Sequence, residues 1–166
     1  MSPLPNLLGM LPEDLRRHCA QQGLDFPMEQ VRRVLAELIS HGKMEIAPRR
    51  PISKAFSRLL EETTCHGRLE QVERVSDPED RFVKYLFRSP DGALTEAVRI
   101  PLAKENCFTV CLSSQVGCAM GCDFCATGRL GLTRNLEAWE MVSAFLAVRD
   151  EAPGRVTGAV FQGQGE

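Results

Sequence analysis

Three thiols set the first question. Cys118-Ala119-Met120-Gly121-Cys122-Asp123-Phe124-Cys125 spaces its cysteines as C-x₃-C-x₂-C. Thiolates are soft ligands suited to iron–sulfur clusters or to zinc. Structural zinc wants four closed ligands, usually as two separated pairs, and Cys111 could in principle be the fourth. A three-cysteine loop between a strand and a helix fits a [4Fe–4S] cube better. Three cysteines hold three irons and leave the fourth open to chelate the amino and carboxylate groups of S-adenosylmethionine (SAM). The spacing therefore predicts Cys118, Cys122 and Cys125 as cluster ligands, with zinc as the alternative. Gly117 and Gly121 let the loop wrap tightly. Phe124 is placed to pack against a bound nucleoside.

Gly163-Gln164-Gly165-Glu166 follows the next apolar strand. Glycines there expose backbone groups to a close ligand, and Glu166 is a candidate for the SAM amino group. Cys111 alternates with Phe108 and Val110 near a strand end. On residues alone, a packed cysteine and a reactive one stand level. Glu96 sits in a strand between Thr95 and Ala97, where a solvated face is the default. Arg49, Arg50, Lys54 and Arg58, with Arg16, Arg17, Arg32 and Arg33, are candidates for phosphate contacts or for ordinary solvated helix surfaces.

The elements that must position these residues change character along the chain. From Pro12 to Glu62 the pattern is helical. A proline and acids open the first helix, and Val31, Val34, Leu35, Leu38 and Ile39 line one face of the second. His41-Gly42 ends that helix, and Ser53 starts a third that buries Phe56, Leu59 and Leu60. From Gly67 to Pro101 three strands are expected, separated by turns at Asp77-Pro78 and Ser89-Pro90-Asp91-Gly92. Cys107–Ser113 is a fourth strand. A glycine-containing loop covers Gln115–Gly131, Asn135 caps a helix from Leu136 to Asp150, and Val156–Phe161 is the next strand. Strand, loop, helix, strand is a βαβ unit.

The expected fold class is α/β, α+β overall. Residues 1–64 read as a helical accessory domain, 65–103 as an antiparallel meander linking to a barrel, and 104–166 as the opening of a (β/α) barrel. Two strands cannot close a barrel, so the chain reads as the front part of a longer protein.

The 166 residues carry a formal charge of −2 with balanced signs, which gives no bulk signature for nucleic acid. No apolar stretch is long enough to span a bilayer, and the first ten residues do not form a secretory signal. Seven cysteines in a cytoplasmic chain point to metal or catalysis rather than to disulfides.

The run from Cys111 to Gly128 closely resembles the RlmN/Cfr family of radical SAM RNA methyltransferases. The similarity continues through Gly131-Leu132-Thr133-Arg134-Asn135-Leu136, and Gly163 to Glu166 match the family's Gly-x-Gly-Glu. Glu96 to Pro101 resembles the strand before the cluster domain. The resemblance implies methylation of adenosine carbon 2 or carbon 8 in 23S rRNA, carbon-2 members also acting on the tRNA adenosine 3′ of the anticodon. It implies a [4Fe–4S] cluster, SAM, an electron donor such as flavodoxin or ferredoxin, no membrane, and a monomer. In the family, a methyl is loaded onto a cysteine late in the chain and converted to a carbon radical that adds to adenine. A second cysteine then helps to resolve the adduct through a transient disulfide. By position, Cys118, Cys122 and Cys125 would be cluster ligands, Cys111 the resolving cysteine, Glu96 a proton acceptor, and Gly165 and Glu166 SAM contacts. The methyl-carrying cysteine has no counterpart here. Gln162 and Gln164 stand where apolar residues are expected, and Cys107 is additional. A divergent radical SAM enzyme on another substrate, or an inactive RNA- or metal-binding fragment, are the rival readings.

Overall fold

A computed structural model describes residues 4–41, 52–77 and 79–165. Gly42, Arg49, Arg50, Pro78 and Glu166, each of which carries an expectation above, lie outside the described residues. The chain divides into two units, 1–67 and 68–166.

The first unit is built from α1 (Pro12–Gln21), α2 (Met28–His41) and α3 (Lys54–Thr63). Proline and two acids occupy the first turn of α1, where free N–H groups and the helix dipole favour them. Leu15 and Cys19 are buried from α1, and Val31, Val34, Leu35 and Leu38 form the buried stripe of α2. Ser53 caps α3 by accepting a hydrogen bond from the Phe56 N–H at 3.2 Å. Phe56 is fully buried and stacks on Phe26 with ring centroids 4.3 Å apart. The segment before α1 is tied in through Cys65: the Leu7 N–H donates to the Cys65 carbonyl at 2.8 Å, and the Cys65 N–H to the Pro5 carbonyl at 3.0 Å.

The second unit holds β1 (Glu70–Ser76), β2 (Val83–Arg88), β3 (Leu94–Pro101), β4 (Cys107–Leu112), β5 (Gln115–Gly117), β6 (Leu132–Asn135), α4 (Ala138–Glu151) and β7 (Arg155–Phe161). One sheet runs β1-β2-β3-β4-β7, and β5 and β6 form a separate ribbon. The first four strands are antiparallel neighbours. β7 then lies parallel to β4 after the α4 crossover. The meander and the βαβ unit therefore share one continuous sheet.

Alternation along the strands decides which face α4 covers. Val83, Tyr85 and Phe87 of β2, Ala97 of β3, and Val110 and Leu112 of β4 pack with Ala144 and Val148 of α4. Burying each of the larger apolar side chains contributes roughly 1.5–3 kcal/mol before ordering costs. Arg99 joins this layer at 6% exposure, its guanidinium 5.1 Å from the Phe108 ring centre and donating to the carbonyl of Glu151 at 3.3 Å. A cation at the C-terminal end of α4 complements the helix dipole. β1 is exposed throughout and carries Glu70, Glu73 and Arg74, charges that keep an edge strand from pairing further.

The expectation that Asn135 caps the last helix is corrected. Asn135 ends β6 opposite Gln115, and its Oδ1 accepts from Gln115 Nε2 at 2.9 Å. The helix begins two residues later with Glu137 at its cap, whose N–H donates to Glu140 Oε2 at 2.8 Å. The ladder to β5 outcompetes the local capping preference of asparagine.

Candidate cofactor site

β4 and β7 are parallel, so their C-terminal ends open on one edge, and the chain leaves both ends in loops. The cysteine loop departs from β4 through Ser113, Ser114 and β5. The glycine segment departs from β7 through Gln162. Backbone bonds join the two: the N–H groups of Ser114 and Gln115 both donate to the Gln164 carbonyl, at 2.8 and 3.1 Å. Such edges of parallel sheets are where α/β folds hold ligands.

The loop closes at its base. The Cys118 N–H donates to the Gly131 carbonyl at 3.0 Å. Gly117 has φ +74°, and a Cβ there would sit 2.0 Å from that same carbonyl oxygen, so only glycine fits. Gln115 braces the exit: its Oε1 accepts from the Ala119 N–H at 3.0 Å. Further along, Gly128 packs so closely on the backbone of Cys122 that a Cβ would meet its N and O at 2.9 Å.

Cys118 is buried, and Cys122 and Cys125 are half-buried. N–H groups of Gly128 and then Thr127 point at the Cys125 sulfur and hold its thiol below the usual range, against the opposing effect of burial. Among the described residues no three His, Cys, Asp or Glu side chains gather around one point. A cluster does not require that, since each thiolate takes its own iron. The donor set fits such a group: three thiols on one closed loop, one already biased toward thiolate. Phe124 is 92% exposed beside them, with Met120 and Leu130 also exposed. At the rim, Gln164 Oε1 is a buried acceptor with no donor among the described residues.

The glycines of the rim have a packing reason beyond ligand access. A Cβ at Gly163 would meet the Ser113 hydroxyl at 2.7 Å and the Leu112 carbonyl at 2.8 Å. One at Gly165, where φ is +110°, would meet the Ser114 hydroxyl at 2.3 Å.

Cys111 and Glu96 lie on the sheet face that α4 does not cover. Cys111 pairs with Val98 on one side and Val160 on the other. Glu96 is two residues before Val98, so it is one diagonal step from Cys111, roughly 7 Å in a regular sheet. The Glu96 carboxylate is 2.6 Å from Lys84 Nζ. Both border a groove completed by Glu73, Val75 and Leu86.

Sequence reasoning missed Ser113, Lys84 and Arg134. Ser113 is 3% exposed, and its hydroxyl donates to the Glu96 carbonyl at 2.8 Å while accepting from the Gln164 N–H at 3.1 Å. It thus bridges β3 and β7 across β4. Its only signal was a hydroxyl next to a strand end, which does not name partners. Arg134 donates from Nη1 and Nη2 to Glu140 at 2.7 and 2.9 Å, and from Nε to Asp91 at 2.7 Å.

In the first unit, those candidate phosphate-binding arginines that lie among the described residues have carboxylate partners. Arg16 pairs with Asp25 at 2.8 Å, Arg17 with Asp14 at 3.0 Å, Arg33 with Glu29 at 2.9 Å and Arg58 with Glu62 at 2.9 Å. Arg32 is 3.8 Å from Glu13. No helix among the described residues is long and apolar enough to cross a membrane.

No protein-family model matches the chain. Curated relatives do match it. A probable RNA methyltransferase of Sorangium cellulosum is 44% identical over 166 residues, covering 95% of this chain and 40% of that protein. A dual-specificity RNA methyltransferase RlmN of Geotalea uraniireducens is 40% identical, covering 93% of this chain and 43% of that protein. Among solved structures, a radical SAM methyltransferase from Sphaerobacter thermophilus matches with a TM-score of 0.76 and 31% identity, covering 98% of this chain and 47% of that one. The chain spans less than half the length of these relatives. With a sheet, cysteine loop and glycine rim in the order the resemblance requires, the chain is homologous along nearly all of its residues to part of the RlmN-type RNA methyltransferases.

Proposed function

We propose that this chain provides the cofactor-binding part of a radical SAM methyltransferase that modifies a ring carbon of adenosine in 23S rRNA and tRNA. The observation that supports it most is the meeting of the cysteine-loop stem and the glycine rim on the Gln164 carbonyl, at the open end of a parallel strand pair. Cys118, Cys122 and Cys125 would hold a [4Fe–4S] cluster, and Gly165, Glu166 and Phe124 would border SAM at its open iron. When bound, these groups supply a carbon-centred radical from SAM on receipt of one electron from a flavodoxin or ferredoxin.

The chain's own residues do the rest by position. The closed loop base and the packed glycines hold the thiols at the sheet edge. Cys111 and Glu96 sit on the sheet face opposite α4, the face that an extruded base would have to reach; a base must leave its stack to be attacked at a ring carbon. That face carries Glu73 as well as Glu96; Glu96, on the strand next to Cys111, is the candidate proton acceptor, and Cys111 the thiol that would resolve a covalent adduct to a methylcysteine carried elsewhere in the protein. Lys84 holds the Glu96 carboxylate from the β2 side.

Mass spectrometry of nucleosides from a strain lacking the gene tests the substrate. The expected outcome is loss of methylation at an adenosine carbon of 23S rRNA or tRNA, restored by the intact gene and not by a Cys111→Ala version. Unchanged adenosine methylation in both RNAs contradicts the proposed substrate.

A further inference from the structure

The cysteine loop leaves and rejoins the fold through one narrow stem, the β5–β6 ribbon. Val116 pairs there with Arg134, and Gly117 with Leu132. Backbone bonds from Ser114 and Gln115 to Gln164 secure the β5 side. On the β6 side, the Leu136 N–H donates to the Ser114 carbonyl at 2.9 Å, which joins the two arms to each other. The guanidinium of Arg134 is what carries β6 to the body of the sheet and helix. It forms a two-pronged contact with both oxygens of Glu140, at 2.7 and 2.9 Å, and reaches Asp91 Oδ2 at 2.7 Å.

Both acceptors are fixed independently of Arg134. Glu140 is 1% exposed. Its Oε2 accepts the Glu137 N–H at the start of α4, and its Oε1 accepts the Ser89 hydroxyl. Asp91 is set in the β2–β3 turn by accepting the Ala93 N–H at 3.0 Å. A planar guanidinium shared between two preset carboxylates has one orientation, and a point-charge ammonium in its place would not.

We propose that Arg134 is a positioning residue for the cysteine loop: by locking the stem to Glu140 and Asp91, it fixes the direction in which the three thiols are presented. The role of the loop as a cluster site rests on the function proposed above. The locking of the stem does not, and it can be read without metal.

Hydrogen exchange on the metal-free full chain provides the test. In Arg134→Lys, the amides of Cys118 and of the β5–β6 ribbon are expected to exchange at least tenfold faster than in the wild type, while those of β2, β3 and β4 keep their rates. Arg88→Lys, at the exposed Arg88–Glu70 pair of the same sheet, leaves all of them unchanged. Asp91→Asn retains the buried carboxylate and gives a smaller acceleration confined to the same amides. Should Arg134→Lys not fold, this exposed change decides the matter. Unaltered stem exchange, or acceleration spread evenly over the whole sheet, overturns the proposal. After reconstitution with iron and sulfide, Arg134→Lys is expected to lose iron to a chelator several-fold faster than wild type, and an equal rate also overturns it. A wild-type chain that takes up no iron refutes the cluster reading, while the exchange comparison still judges Arg134.

Discussion

Ser113 shows how one hydroxyl can align parts of a site that lie on different strands. Because it donates to Glu96 on β3 and accepts from Gln164 near the end of β7, its loss removes two hydrogen bonds from part-buried backbone groups. Ser113→Ala is expected to lower unfolding free energy by roughly 1–3 kcal/mol in urea titration. A second residue-level expectation concerns acid. Burial pushes the Glu140 carboxyl up, but hydrogen bonds from Arg134, Ser89 and the Glu137 N–H outweigh it and hold the group below its ordinary value. A depressed folded pKa contributes stability above the unfolded value, about 4.3, which is lost as pH falls through the folded value. Wild type should therefore lose stability on acidification below about pH 4.5. Glu140→Gln should show a shallower acid limb and lower stability at neutral pH. The limb stays partly sloped because Arg16 holds the Asp25 carboxyl low, and Arg134 does the same for Asp91. Equal slopes in melting temperature against pH would contradict this. The candidate thiols could be singled out in sequence because residue type and spacing are enough to suggest metal ligation. Ser113, Lys84 and Arg134 could not, because their partners lie far along the chain and only the fold brings them together.

At the scale of elements, periodic segments were readable: the stripe of α2 apart from Ile39, which is exposed, strand β2 and the β4–α4–β7 order follow from alternation or helical spacing, whereas β1 is exposed throughout and shows no alternation. The β5–β6 ribbon was not. β5 has three residues and ends in glycine, too short for any period to register, and its stability comes from the ladder and the Gln115–Asn135 contact. The same ribbon displaced Asn135 from the helix cap expected for it. The closed stem predicts a sharp intolerance. Gly117→Ala places a methyl 2.0 Å from the Gly131 oxygen at a φ of +74°. It should cost more than about 1 kcal/mol in chemical denaturation and open the stem to proteolysis near Cys118. Gly92→Ala, with positive φ but nothing within 4 Å, tests strain without the clash and should cost less. Equal losses would show that the contact with Gly131 does not matter.

At the scale of the whole molecule, one sheet carries the candidate proton acceptor, the candidate resolving thiol, the stem of the cysteine loop and the glycine rim. Under the proposed function the meander belongs to the candidate site: β3 presents Glu96, and β2 supplies the lysine that pairs with it. The central claim is that three loop thiolates hold a cluster with one iron free for SAM. Anaerobic reconstitution followed by iron, sulfide and zinc analysis, with paramagnetic resonance of the reduced protein before and after SAM addition, tests it most directly. The account predicts about four irons and four sulfides per chain, a resonance that shifts when SAM is added, and loss of both in Cys122→Ala. Stoichiometric zinc in place of iron, or a cluster whose resonance ignores SAM, would contradict it.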